Sequence, residues 1–185
     1  MVKDPQVVND LFLPEDFLSL KDLFKNYKTF YYDQWFSRYT VDDNQLPEFK
    51  KYVELATEKA KVAFNSQTLM PTYALFAHYE GPNAKLHKHI DDNACTYTLD
   101  MCVYRKIPWD LYVENKPYDL EPNSALAYFG NDQLHWRETF PDKHNNHLAM
   151  IFFHFAEPDH WYFTKGPSYL SVIRGQMTED QWNSL

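Results

Sequence analysis

The feature that most constrains this chain is a change of texture at Pro71. Beyond it, TYALFAHY, CTYTLDMCVY, DLYVE, ALAYFG and LAMIFFHF are short, rich in aromatic and β-branched residues, and separated by turn residues. In CTYTLDMCVY one face carries Cys95, Tyr97, Leu99, Met101 and Val103, and the other carries Thr96, Thr98, Asp100, Cys102 and Tyr104. That alternation predicts a half-buried antiparallel strand. Before Pro71 the period is helical. Pro14 precedes a run in which Phe17, Leu18, Leu20, Leu23 and Phe24 recur at helical spacing. A loop rich in Asp and Asn follows at 40–45, and Pro47 opens a second helix with Phe49, Val53, Ala56, Ala60 and Phe64 on one stripe. Strands behind two helices predict an α+β, mainly β domain, a sandwich or barrel buttressed by N-terminal helices. In this reading 1–70 is mostly helical support, 71–165 is the β core, and 166–185 is a tail whose residues 178–181 open a short capped helix.

Composition excludes several function classes. At 185 residues the chain suits one domain with a sizeable core. It has only 4 glycines and no Gly-rich phosphate loop. Its net charge of -8 repels a phosphate backbone, so no nucleic-acid partner is expected. No run approaches the roughly 18 apolar residues of a membrane span. The start MVKDPQVVND has no apolar signal region. Cys95 and Cys102 lie an odd number of residues apart, on opposite faces of one strand, and are expected to stay unpaired. A reducing, cytoplasmic setting is the expectation. GxSxG and CxxC motifs are absent.

Eight histidines stand at 78, 87, 89, 135, 144, 147, 154 and 160. His89 and Asp91 are two apart, so on an extended backbone both side chains point the same way. His135 follows a strand-like run ending in Tyr128, Phe129 and Gly130. In an antiparallel arrangement a strand that late can return beside the first. Two imidazoles and one carboxylate then converge as a facial triad that leaves coordination positions open. His78, His144, His154 and His160 read as ordinary core or surface histidines. Asp92 is turned away by its odd offset from Asp91, Lys85 and Lys88 read as solvated, and Trp136 as a packed rim aromatic.

On these residues, 73–155 resembles the double-stranded β-helix core, a jelly-roll or cupin-like barrel, of the Fe(II)/2-oxoglutarate-dependent oxygenases, and within them the prolyl-hydroxylase-like group. Tyr79 stands ten residues before His89 in AHYEGPNAKLHKHID. EPNSALAYFGNDQLHWRE resembles the family's approach to its distal His, HLAMIFFHF its closing strand, and FLPEDFLSLKDLF the helix that often precedes such cores. The resemblance implies Fe(II) held by His89, Asp91 and His135, with 2-oxoglutarate as cosubstrate and O2 as oxidant. The implied reaction hydroxylates an unactivated C–H bond of a prolyl or other peptidyl residue, or of a free amino acid or small metabolite, releasing succinate and CO2. Related halogenases lack the carboxylate ligand, so Asp91 implies hydroxylation. Tyr79 is the implied donor to the distal carboxylate of 2-oxoglutarate, with Thr98 a weaker candidate.

The chain departs from the family at the basic residue that anchors that carboxylate. The position leading LAMIFFHF is His147, twelve residues after His135, and Arg137 is the other candidate. Rival readings remain open. Gly81 to His89 also resembles the first cupin motif, which makes His87 a ligand, although Asn93 and Ala94 stand where cupins carry Glu and the second cupin motif is missing. Zinc accepts the same triad for hydrolysis. A non-catalytic binding module on the same fold is the alternative from another class, with His147 marking a lost cosubstrate site. The aromatics Phe30, Tyr31, Tyr32, Trp35 and Phe36 either roof a pocket or join the core.

Overall fold

A computed structural model describes residues 4–140 and 147–184; His144 lies outside the described residues. Eleven strands and five helices are described, the strands forming two antiparallel sheets. The strands are β1 (Gln6–Val8), β2 (Tyr31–Asp33), β3 (Arg38–Asp42), β4 (Met70–Glu80), β5 (Leu86–His89), β6 (Tyr97–Arg105), β7 (Leu111–Val113), β8 (Lys116–Tyr118), β9 (Ala125–Tyr128), β10 (His135–Arg137) and β11 (His147–Ala156). The large sheet runs β1-β9-β6-β11-β4-β3-β2 and the small one β5-β10-β7-β8. From β4 onward the chain passes back and forth between the two sheets, as in a jelly-roll. That traffic brings sequence-distant strands side by side: β5 and β10 pair with His89 opposite His135.

The helices are α1 (Pro14–Asn26), α2 (Lys50–Phe64), α3 (Trp161–Thr164), α4 (Leu170–Ile173) and α5 (Glu179–Asn183). None is long and apolar enough to cross a membrane among the described residues. Proline starts α1, and a 3-10 turn at Pro47–Phe49 leads into α2, which ends at Asn65 in the left-handed conformation. Leu20 and Phe24 of α1, and Val53, Ala56 and Ala60 of α2, join one core with Phe76, Leu99, Met101, Ile151, Phe153 and Phe155 of the large sheet. Phe24 stacks on Phe76 with ring centroids 3.9 Å apart. A second core lies between the sheets, around Tyr79, Leu111, Leu126, Leu148 and Met150. In α5, Thr178 and Gln181 form the capping box read from the sequence.

Two expectations need correction. The first 70 residues are not helical support alone: β1, β2 and β3 extend both edges of the large sheet, and β3 occupies part of the stretch read as a loop at 40–45. Strands of three to five residues carry too few alternations to stand out in a sequence. Second, β6 is not half wet. Thr98, Asp100 and Cys102 on its polar face are as buried as Leu99 and Met101 behind them, because the small sheet covers that face.

Candidate active site

Strand pairing assembles the predicted triad. His89 ends β5, Asp91 follows it, and His135 starts β10. Nε2 of His89 lies 3.5 Å from Asp91 Oδ1, and Nε2 of His135 lies 3.4 Å from the same oxygen. The other ring nitrogens fix the tautomers. His89 Nδ1 donates to the His87 carbonyl at 2.6 Å, and His135 Nδ1 donates to the Gln133 carbonyl at 2.9 Å. Each ring therefore turns its Nε2 lone pair toward the shared carboxylate, the arrangement in which outer partners orient metal-ligating histidines. Burial opposes ionisation of Asp91, but His135 and His89 together outweigh it and hold the carboxyl well below the usual range. Burial likewise opposes charge on His135, and Asp91 outweighs it. The three groups face one another closely enough to share one cation.

The chain is shaped around this carboxylate. Asp91 N–H donates to the Gly130 carbonyl at 2.8 Å, and a methyl group at Gly130 would overlap Asp91 Oδ2 and Thr98 Oγ1. Glycine is required there by close approach.

The three donors line a cavity of about 320 Å³ together with Phe36, Arg38, Asp100, Tyr128, Phe152 and His154. Arg38 was not foreseen. It points inward from β3, directly across the ladder from Tyr79 on β4. Its Nη1 donates to the Tyr79 hydroxyl at 2.8 Å and its Nε to Asp33 at 3.0 Å, while the guanidinium lies 4.5 Å from the Phe36 ring centre and 5.3 Å from that of Phe152. Burial disfavours its charge, but Tyr79 and Asp33 outweigh this and keep Arg38 cationic. The only sequence signal is a single cation, Arg38, just after the aromatic stretch 30–36, on a strand too short to be recognised by alternation.

The two basic positions expected from the sequence lie elsewhere. His147 faces the helices, on the side of the large sheet opposite the cavity, beside Ala149; the residue paired with Tyr79 is Leu148. A strand's period of two decides this, since one step along it changes face. Arg137 points into the core between the sheets. It donates to the Trp109 carbonyl, lies 3.6 Å from Met150 Sδ and sits over the Trp109 ring, and it is not among the residues lining the cavity. Thr98 is buried beside the triad, its hydroxyl 3.2 Å from His154 Nδ1, rather than beside Tyr79. His87 is exposed and joins no cluster of metal donors among the described residues, which removes the cupin-type ligand set.

Two further polar residues face the cavity. Asp100 is 3% exposed; Tyr128 donates to its Oδ2 at 3.0 Å, and its Oδ1 has no partner. Burial raises its carboxyl to about 7. His154, read as an ordinary histidine, is buried against Tyr73 and held neutral by burial, down to about 4. Asp91, Cys95 and His154 also lie close enough to share an ion, but burial pushes the Cys95 thiol up and keeps it a poor ligand.

No family model and no curated protein matches the sequence. Solved structures do match in fold. HygX from Streptomyces hygroscopicus, with nickel and 2-oxoglutarate bound, superposes with a TM-score of 0.65 at 9% identity, over 84% of this chain and 83% of its own. The α-ketoglutarate-dependent carbocyclase SnoK of nogalamycin biosynthesis gives 0.65 at 9% identity, over 84% and 80%. A prolyl-4-hydroxylase from Pseudomonas putida gives 0.56 at 11% identity, over 83% and 92%. The chain shares the fold of the 2-oxoglutarate–iron(II) oxygenases.

Proposed function

We propose that the protein is an Fe(II)- and 2-oxoglutarate-dependent oxygenase. The observation that carries this reading is that His89, Asp91 and His135 share one cavity with the buried cation of Arg38, which Tyr79 holds from behind. Two neutral nitrogens and one carboxylate suit ferrous iron and leave positions free for a chelating acid and for dioxygen. The cation at Arg38 supplies what a second carboxylate needs. That second feature favours the reading over zinc hydrolysis, which does not require a second carboxylate anchor. When bound, iron with 2-oxoglutarate and O2 supplies oxidative attack on an unactivated C–H bond, with release of succinate and CO2.

The chain's own residues divide the remaining work. The carbonyls of His87 and Gln133 hold the two imidazoles in the ligating tautomer. Arg38 grips the distal carboxylate, and the Tyr79 hydroxyl, which accepts from Arg38, is left with its O–H to donate a hydrogen bond toward the same group. Asp100, held toward its acid form, offers a hydrogen bond from its unpartnered oxygen to an oxygen of the occupant. Phe36, Leu75, Leu86 and Phe152 give the cavity apolar walls that restrict water.

The substrate class follows less directly. Phe36 lines the cavity beside exposed Trp35, and exposed Ile90 lines its mouth, a rim suited to a peptide side chain, with a small metabolite second. The acidic surface weighs against nucleic acid. Two buried free cysteines fit a reducing, cytoplasmic compartment. Anaerobic addition of Fe(II) and 2-oxoglutarate is expected to produce a visible charge-transfer band, and air is expected to yield succinate. A protein showing neither is not this enzyme. A mass search of lysate for +16 products then identifies the substrate.

A further inference from the structure

On the helix-facing side of the large sheet, at the far end of β4 and β11, stands a second group of metal donors. We propose that His78, Glu80 and His147 bind one divalent cation of the zinc class, separately from the triad in the cavity. His147 and Glu80 are direct partners across the β4–β11 ladder, and His78 lies two residues before Glu80 on the same face. Glu80 Oε2 is 3.7 Å from His147 Nδ1 and 4.0 Å from His78 Nδ1. The two imidazoles stack with centroids 5.6 Å apart and planes 24° from parallel. One donor atom from each of the three falls within 4.8 Å of the others.

Geometry and chemistry both suit zinc. Zinc holds nitrogen and oxygen ligands at about 2.0–2.2 Å, so ligands of a tetrahedral ion stand roughly 3.4 Å apart. The cluster reaches that spacing by small side-chain rotations. The backbone need not move, because the ladder pairs residue by residue from His147 to His154. Two histidines and one glutamate are a complete protein ligand set for zinc, with the fourth position left to solvent. Among the described residues the ion-pair partners of Glu80 are the two imidazoles, and no lysine or arginine pairs with it. The side chains are half exposed, and His78 and His147 line a groove with Tyr27, Phe30 and Tyr104, which gives an ion an open path. A bound ion clips β4 to β11 behind Tyr79, which points from β4 to the opposite face.

The test counts zinc on the full chain by equilibrium dialysis and metal analysis. The unsubstituted protein is expected to hold two equivalents. The H89A/D91A double variant, which loses the cavity site, is expected to hold one and to melt higher with zinc than in EDTA. Adding H147N or H78N to it is expected to weaken zinc at least a hundredfold, since even outer partners of ligands are worth about 10–100-fold. Unchanged melting in EDTA confirms that these half-exposed substitutions leave the fold intact. The proposal is overturned if H89A/D91A holds no zinc, or if its zinc survives both H78N and H147N. Either result leaves the cavity site standing.

Discussion

Along β6, Leu99, Met101 and Val103 point to the helices, while Thr98, Asp100 and Cys102 point to the small sheet. Along β11, Ile151, Phe153 and Phe155 point to the helices, while Phe152 and His154 face the cavity. The same two strands thus build two faces with different chemistry. On the helix face, Phe153 meets Phe12 and Phe49 at centroid distances of 6.1 and 5.9 Å, and stability comes from area and packing. On the other face each polar group is held by a neighbour or left open to an occupant, and Asp100 Oδ1 is left open. The helix face is closed by packing, whereas the other face opens into the cavity and has directional groups to spend on a ligand.

The comparison breaks most visibly at Phe153. Its replacement by alanine removes a fully buried ring from the helix face and is expected to cost about 3–5 kcal/mol of stability. Urea unfolding measures the loss. The folded fraction is expected to bind 2-oxoglutarate as the parent does, because no cavity residue is touched. Weakened binding in the folded protein would show that the faces are coupled.

Arg38→Met makes the converse change. It removes the cation but keeps an apolar stem between Phe36 and Phe152. Charge-assisted hydrogen bonds are worth about 1.5–3 kcal/mol, so affinity for 2-oxoglutarate is expected to fall between tenfold and a hundredfold. Iron binding at the triad is expected to hold. Titration of the iron-loaded protein followed by its charge-transfer band measures the shift, and unchanged affinity would move the anchor to another residue.

What the sequence reveals follows the same division. The triad is legible because its parts are a two-residue spacing, His89 to Asp91, and a distinctive late histidine, His135. The sheet-facing stripe of Val53, Ala56 and Ala60, led by Phe49 in the turn before it, is legible because it repeats along α2. Arg38 is not legible in the same way. Its partner Tyr79 lies 41 residues on, and β3 is too short to announce itself. His147 misleads for a sharper reason: a basic-looking residue at the head of the right strand sits one position away from the face that matters, which Leu148 occupies. Asp100 and His154 are ambiguous because a polar residue alternating with apolar ones reads as solvent-facing until a second sheet is known to cover it.

Asp100 gives the comparison its pH dependence. Its carboxyl titrates near 7 in the folded protein, chiefly through burial, against about 3.9 in an unfolded chain. Between those values the folded state binds more protons than the unfolded one, so stability falls as pH rises. From pH 5 to 7 this group alone is expected to remove about 2 kcal/mol. Asp100→Asn keeps a partner for the Tyr128 hydroxyl but cannot ionise, so its stability is expected to lack this decline. Urea unfolding of both proteins in EDTA at pH 5, 6 and 7 isolates the effect as a gap that widens in favour of the variant. A gap independent of pH would mean that Asp100 is ionised throughout, and that the cavity face tolerates a buried carboxylate that the apolar packing around Phe153 has no cation to compensate.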